Sequence, residues 1–285
     1  MSAILALSHI RFCYILSGPE KPTVPVFQDL SFALAPGEKV GLIGCNGVGK
    51  STLLKLVIGL LPLQEGTMEV CGLPMDRKNL PEIRKKAGYV FQDSESQLFL
   101  PTVESDVSFG LRNAGVPGEE AARRTAEALK KVGMEGLARR QIYRLSGGQK
   151  KLTAIAGLLT REPELLLLDE PSAALDPRNR RKLAEILRQL SCAQLIASHD
   201  LDFIWDTCDR VILLSEGRIQ QDGAAGKYCP TRPCWKPVAW NSPCVCRRAS
   251  ETGQRTQEPG IPTGRDCNRF RRGCTPGSPP NSPIR

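Results

Sequence analysis

Gly44-Cys45-Asn46-Gly47-Val48-Gly49-Lys50-Ser51-Thr52 fits the pattern G-x-x-x-x-G-K-[ST], and its surroundings suit it. Val40-Gly41-Leu42-Ile43 in front predicts a short buried strand, and residues 51–57 behind predict the start of a helix that ends near Gly59. A glycine-rich turn between strand and helix lets consecutive backbone N–H groups wrap a polyphosphate, with the helix N-terminus facing the negative charge. In such a loop Lys50 reaches the β- and γ-phosphates, and the Ser51 hydroxyl binds Mg²⁺. The stretch predicts a nucleotide site.

A chain of 285 residues is one large domain or two modest ones, long enough to bury a sizeable core. No apolar run approaches the thickness of a bilayer. Met1-Ser2-Ala3-Ile4-Leu5-Ala6-Leu7 lacks a basic flank and is followed by His9 and Arg11, so a secretory signal is not expected. The net charge of +9 invites a nucleic-acid reading, but eleven basic residues against three acidic ones lie from residue 224 onward. The body is nearly neutral, and no nucleic-acid partner is expected. Cys13, Cys45, Cys71, Cys192 and Cys208 are scattered through the body, where single cysteines are expected as small buried apolar residues. The other six crowd the tail without the paired C-x₂-C spacing or histidines of a zinc site.

Between these ends, turns and periodicity predict strands over 7–12, 26–34 and 66–70, with loops at 18–22 and at Pro36-Gly37. Tyr89-Val90-Phe91-Gln92 reads as a short strand ending at a polar side chain. Residues 93–149 read as mostly helical, clearest over 119–132, with Glu104 and Asp106 on a solvated face. Helices over 151–160, 180–190 and 201–205 then alternate with strands over 165–169 and 194–198, and a strand pair follows at 210–214 and 218–220. Such alternation predicts an α/β fold with a mostly parallel sheet, which the 93–149 block interrupts as a helical subdomain.

Two further stretches carry chemistry. Leu165-Leu166-Leu167-Leu168-Asp169-Glu170 is a wholly apolar strand ending in two carboxylates, at the sheet edge where ligands bind in such folds. Asp169 is placed to hold Mg²⁺, directly or through water, and Glu170 to take the proton of an attacking water. Leu145-Ser146-Gly147-Gly148-Gln149 precedes a helix read as opening at Lys150, and forms a second anion cradle of N–H groups and a hydroxyl. One nucleotide does not need two cradles on one chain, so the second is expected to serve another subunit's nucleotide.

Together these motifs, in this order, resemble the ATPase subunit of an ABC transporter, over residues 5–223. The loop at 44–52 is similar to the family's phosphate loop, Gln92 to its Q-loop glutamine, and Ser146, Gly147, Gly148 and Gln149 to its signature sequence. Asp169-Glu170 resembles the Walker B pair, Asp176 in Ser172-Ala173-Ala174-Leu175-Asp176 the D-loop aspartate, and His199 the switch histidine. Tyr14 stands where the family keeps an aromatic that stacks on adenine. The resemblance implies a P-loop NTPase cassette: a mostly parallel core, an antiparallel β subdomain and a helical subdomain. It implies ATP and Mg²⁺ as cofactors, with Ser51, Gln92 and Asp169 at the metal and Glu170, His199 and Gln92 as catalytic groups. The signature is implied to act in trans, across a dimer with a second ATPase subunit, either a copy or a paralogue. Transmembrane coupling and substrate-binding subunits are the further partners, gripped by the helical block around 92–109, which sets the chain on the cytoplasmic face of the membrane.

Val90-Phe91-Gln92-Asp93-Ser94-Glu95-Ser96-Gln97-Leu98-Phe99 and Ala154-Ile155-Ala156-Gly157 are similar to the energy-coupling-factor and cobalt/nickel group, which imports vitamins and metal ions. Asp93-Ser94 departs from that group's usual Asn-Pro. A soluble ATPase with the same motifs, acting in DNA repair or translation, is the alternative; those carry long coiled coils or tandem cassettes, and this chain has one uninterrupted cassette. Residues 1–223 are the expected ATPase domain. The proline-, glycine- and arginine-rich residues 224–285 read as a disordered, out-of-frame or foreign terminus.

Overall fold

The strand at Leu165–Asp169 is buried at every position and organises the layers around it. The computed structural model describes residues 3–15, 23–173 and 175–225; the loop reading at 18–22, Ala174 and the tail reading beyond 225 lie outside the described residues. In chain order the strands are β1 (Leu5–Ile15), β2 (Thr23–Leu34), β3 (Lys39–Ile43), β4 (Glu65–Val70), β5 (Leu73–Pro74), β6 (Ala87–Val90), β7 (Leu165–Asp169), β8 (Ala193–Ala197), β9 (Arg210–Ser215) and β10 (Arg218–Ala224). The helices are α1 (Lys50–Val57), α2 (Leu80–Lys86), α3 (Val103–Val107), α4 (Phe109–Asn113), α5 (Gly118–Lys131), α6 (Gly147–Leu159), α7 (Pro177–Gln189) and α8 (Leu201–Thr207).

One sheet has six strands in the order β10-β9-β3-β8-β7-β6 and is parallel except for the β9–β10 pair. The other is antiparallel, in the order β2-β1-β4-β5. Side chains alternate across a strand, so β7 divides its leucines between two cores. Leu165 and Leu167 join Leu53 and Leu54 of α1, while Leu166 and Leu168 join Ile155 of α6 and Leu183 and Leu187 of α7. Asp169, two residues beyond Leu167, inherits the α1 face.

Several elements differ from their sequence readings. The signature helix α6 starts at Gly147, not Lys150, because Ser146 and Gln149 close a reciprocal capping box that draws both glycines into the first turn. β6 stops at Val90, so Gln92 lies in an exposed loop rather than at a strand end. Seven-residue α2 went unread because it buries only Ile83 and so shows no 3.6-residue pattern. The 93–149 block holds one helix of fourteen residues, α5, with short helices and turns elsewhere. Asp106 is more than a solvated face: its carboxylate accepts from the N–H of Phe99 at 3.0 Å and of Leu100 at 2.8 Å, fixing that loop. Among the body cysteines, Cys71 and Cys208 are buried as expected, but Cys45 is exposed.

Gly41 shows how tightly α8 is laid on the parallel sheet. A Cβ there would stand 2.4 Å from Cγ2 of Ile204 and 3.5 Å from Sγ of Cys208. Overpacking of this kind typically costs about 1–3 kcal/mol. Gly41→Ala should therefore lower the unfolding free energy by about that amount, read as a shifted denaturant midpoint at unchanged slope.

Candidate nucleotide site

β3 and α1 hold the glycine loop between them as the sequence pattern requires. Gly44, Gly47 and Gly49 have φ of +156°, +80° and +107°. At Gly44 a Cβ would meet the Leu214 carbonyl oxygen at 2.4 Å, so the loop floor admits no side chain there. At Gly47 no atom of the described residues other than its chain neighbours lies within 4 Å of that position, so the left-handed backbone is what demands glycine. Lys50 is buried, and its ammonium donates back to the carbonyls of Gly44 at 2.8 Å and Cys45 at 3.2 Å. The lysine thus lies across its own loop.

Residues far apart in the chain meet at the C-terminal edge of the parallel sheet. Ser51 Oγ donates to Asp169 Oδ1 at 2.9 Å, and Tyr89 Oη donates to Asp169 Oδ2 at 3.1 Å. Burial, reinforced by Asp169, pushes the Tyr89 phenol pKa up, so Tyr89 is a donor at neutral pH. Hard divalent cations take oxygen ligands, and a hydroxyl beside a carboxylate is a donor set that fits Mg²⁺. Tyr14 is exposed, with its hydroxyl 3.1 Å from Thr52 Oγ1 and its ring edge-on to Phe12. It does border the phosphate loop.

Glu170 sits beyond the strand at φ +45°, a conformation uncommon outside glycine and the less expected for a residue that precedes proline. Such strain persists where the surroundings over-determine it. Oε2 of Glu170 accepts from Ser198 Oγ at 3.2 Å and His199 N at 3.3 Å, and Nδ1 of His199 lies 2.8 Å away. Oε1 has no protein donor among the described residues. Asp200, after the histidine, caps α8 through the N–H of Phe203 and pairs with Arg180 at 3.0 Å.

The second cradle stands apart. No hydrogen bond or ion pair links Ser146, Gly147, Gly148 or Gln149 to residues 44–52 among the described residues. Ser146 Oγ accepts from Gln149 N at 3.3 Å, and Gln149 Oε1 accepts from Ser146 N at 3.0 Å. Asp176, read from sequence as a D-loop aspartate, caps α7 by accepting from the N–H groups of Arg178 and Asn179, both at 2.9 Å. The hydrogen bond from Asn179 N–H holds its carboxyl pKa below the ordinary range.

Gln92 makes no side-chain hydrogen bond among the described residues, yet its loop is anchored by residues that sequence reasoning left without a role. Lys151 of α6 is buried and donates to the Gln92 carbonyl at 2.8 Å, with the Phe91 carbonyl at 3.5 Å. Burial lowers its pKa, against the opposing pull of Asp169, Asp93 and Glu170. Gln97 spans the strand end, donating to the Tyr89 carbonyl and accepting from Phe91 N, and Lys150 pairs with Glu95 at 2.6 Å. Sequence reasoning places Tyr89 and Ser198 in strands but gives neither a role. A lone buried lysine or tyrosine carries no motif; only the fold reveals what it touches.

Residues 27–173 match the ABC transporter family. The energy-coupling factor transporter ATP-binding protein EcfA of Methanocaldococcus jannaschii is 43% identical over 203 residues, covering 70% of this chain and 73% of that protein. The solved structure of cbiO1 from Clostridium perfringens, described as part of the ABC transporter complex cbiONQ, superposes with a TM-score of 0.72 at 35% identity, covering 80% of this chain and 91% of that one. The ATP-binding cassette MJ0796, solved as a dimer in a post-hydrolysis state with ADP and Pi, gives 0.70 at 27% identity, covering 78% and 98%. This fold with this site defines an ATP-binding cassette. The chain belongs to the ABC transporter family and is an ATPase, an ATP-binding subunit of that class.

The tether on the Gln92 loop can be tested separately from fold stability. A buried ammonium carries a desolvation cost, which an apolar side chain of similar volume removes. Lys151→Met should melt at or above the wild-type temperature while the amides of residues 91–97 exchange with solvent faster, as hydrogen-exchange mass spectrometry would show.

Proposed function

We propose that this chain hydrolyses ATP at the interface of two cassettes, with Lys50 and Ser51 of one and Ser146, Gly147 and Gly148 of the other on the same nucleotide. Gly147 carries the argument. It lies in the first turn of α6, it is exposed, and among the described residues no atom outside its chain neighbours and its own helix backbone stands within 4 Å of where its Cβ would project. Glycine is a poor helix residue, and nothing inside the chain calls for one there. The close approach of a ligand from outside supplies the reason, and the dimeric MJ0796 cassette supports the arrangement.

Within each site, Lys50 and the loop N–H groups bind the polyphosphate and Tyr14 stacks on the adenine. Ser51, Asp169 and Gln92 hold Mg²⁺, which neutralises phosphate charge when bound. Glu170 orients a water and takes its proton through Oε1, while His199 hydrogen-bonds the γ-phosphate and Asp176 faces the partner cassette. Positioning and electrostatics dominate phosphoryl transfer, with a general base contributing about 10²–10⁴ in rate.

The cassette powers an energy-coupling-factor-like importer of metal ions or vitamins, as its similarity to EcfA and cbiO1 supports. Among the described residues no helix is long and apolar enough to cross a membrane. Transmembrane subunits therefore do the spanning, and the cassette docks on their cytoplasmic face. The docking surface is the exposed aromatic pair Phe99 and Phe109, whose rings meet edge-on at 4.8 Å. Leu98 beside this pair is half-buried. Residues 1–223 form the motor.

Glu170→Gln should bind ATP, lose turnover by about 10²–10⁴ and elute as an ATP-bound dimer; full turnover would sink the assignment. Gly147→Ala should unfold at the same or higher denaturant, by about 0.4–1 kcal/mol, yet lose ATPase activity at saturating protein. Undiminished activity in that variant would remove the composite site. Phe99→Ser with Phe109→Ser should abolish ATP-driven uptake in the assembled transporter while leaving basal hydrolysis intact, read by parallel uptake and phosphate-release assays.

A further inference from the structure

Asp169 is 3% exposed and lies on the apolar face of β7 beyond Leu165 and Leu167. Among the described residues its two oxygens have one donor each, Ser51 Oγ on Oδ1 and Tyr89 Oη on Oδ2. Tyr89 pairs in register with Leu167, two residues short of Asp169. At the usual rise of about 3.3 Å per residue, the phenol must reach forward along the sheet by roughly two residues to meet the carboxylate.

A phenylalanine at 89 would fill the same apolar space and keep the edge-on ring contact with Phe91 at 4.7 Å. The hydroxyl is therefore unnecessary for packing, and burying it without a partner is unfavourable. Asp169 is its one hydrogen-bond partner among the described residues. When the Ser51 hydroxyl turns to a cation, Tyr89 is the donor left to hold the carboxylate.

We infer that Tyr89 is a positioning residue for the metal site: by fixing Oδ2 of Asp169 it keeps Oδ1 aimed at the Ser51 side, where Mg²⁺ binds. The inference rests on the proposed reading of Asp169 and Ser51 as the Mg²⁺ group. Groups that orient a metal-binding carboxylate typically matter 10–100-fold for metal affinity, and this one does so from outside the glycine loop.

The test is nucleotide binding by the full chain, followed with a fluorescent ATP analogue in EDTA and across a free-Mg²⁺ titration. Tyr89→Phe should leave the EDTA affinity and the melting temperature near wild type, while the Mg²⁺ needed for half-maximal enhancement of binding rises about tenfold. Mn²⁺ in place of Mg²⁺ should show a shift in the same direction. Asp169→Asn separates the two layers of the claim. If Asp169→Asn shifts the Mg²⁺ dependence and Tyr89→Phe does not, the positioning role is overturned and the metal reading stands. If neither shifts it, both fail. A loss of affinity in EDTA together with a lower melting temperature, at unchanged Mg²⁺ dependence, makes Tyr89 a purely structural residue and also overturns the proposal.

Discussion

The hydrogen bond from Ser51 to Asp169 joins segments 118 residues apart, and the site depends on what makes that bond possible. A carboxylate at the end of a fully buried strand is costly unless it is hydrogen-bonded. β7 meets this condition by bringing Asp169 up to the first turn of α1 on one side and to Tyr89 of β6 on the other. The same strand packs leucines on both faces, so its position is set by two cores at once. The carboxylate has little freedom to drift, because moving it would open a void under α1 or under α6 and α7.

The next residue uses the opposite principle. Glu170 leaves the strand in a left-handed conformation, and three contacts to its Oε2 from Ser198 and His199 hold it there. Backbone strain of this kind costs on the order of 1–3 kcal/mol, and it turns the side chain away from the Asp169 face. Two adjacent acids thereby occupy different environments: one satisfied by hydroxyls on an apolar face, the other strained with one oxygen uncommitted. Chemistry that needs one carboxylate for a cation and another for a water proton is served by such a division.

The candidate second cradle is mechanically joined to the Gln92 loop. α6 begins at the signature glycines and, one turn later, places Lys150 on Glu95 and Lys151 on the Gln92 carbonyl. A displacement of the α6 N-terminus therefore pulls on the loop that carries Gln92. The Lys151 ammonium makes its hydrogen bonds to neutral carbonyls, and no carboxylate lies within ion-pair distance among the described residues. Its length suits the tether as much as its charge does.

Much of this was legible in the chain. The glycine loop, the apolar strand ending in Asp169-Glu170, the Ser-Gly-Gly turn and His199 are short patterns whose chemistry demands particular residue types at fixed spacing, so sequence alone pointed to the candidate nucleotide site and to the α/β class. The alternation of strands and helices gave the parallel sheet for the same reason, since strands buried on both faces must be apolar throughout. Helix starts were less legible: the capping box of Ser146 and Gln149 recruits both glycines into α6 against their own preference. What only the tertiary structure decided was contact across the sheet. Tyr89 meets Asp169, Lys151 meets Gln92 and Ser198 meets Glu170 because neighbouring elements align them in space. Hydrogen bonds between residues tens of positions apart follow from register and packing, and local periodicity carries no record of either.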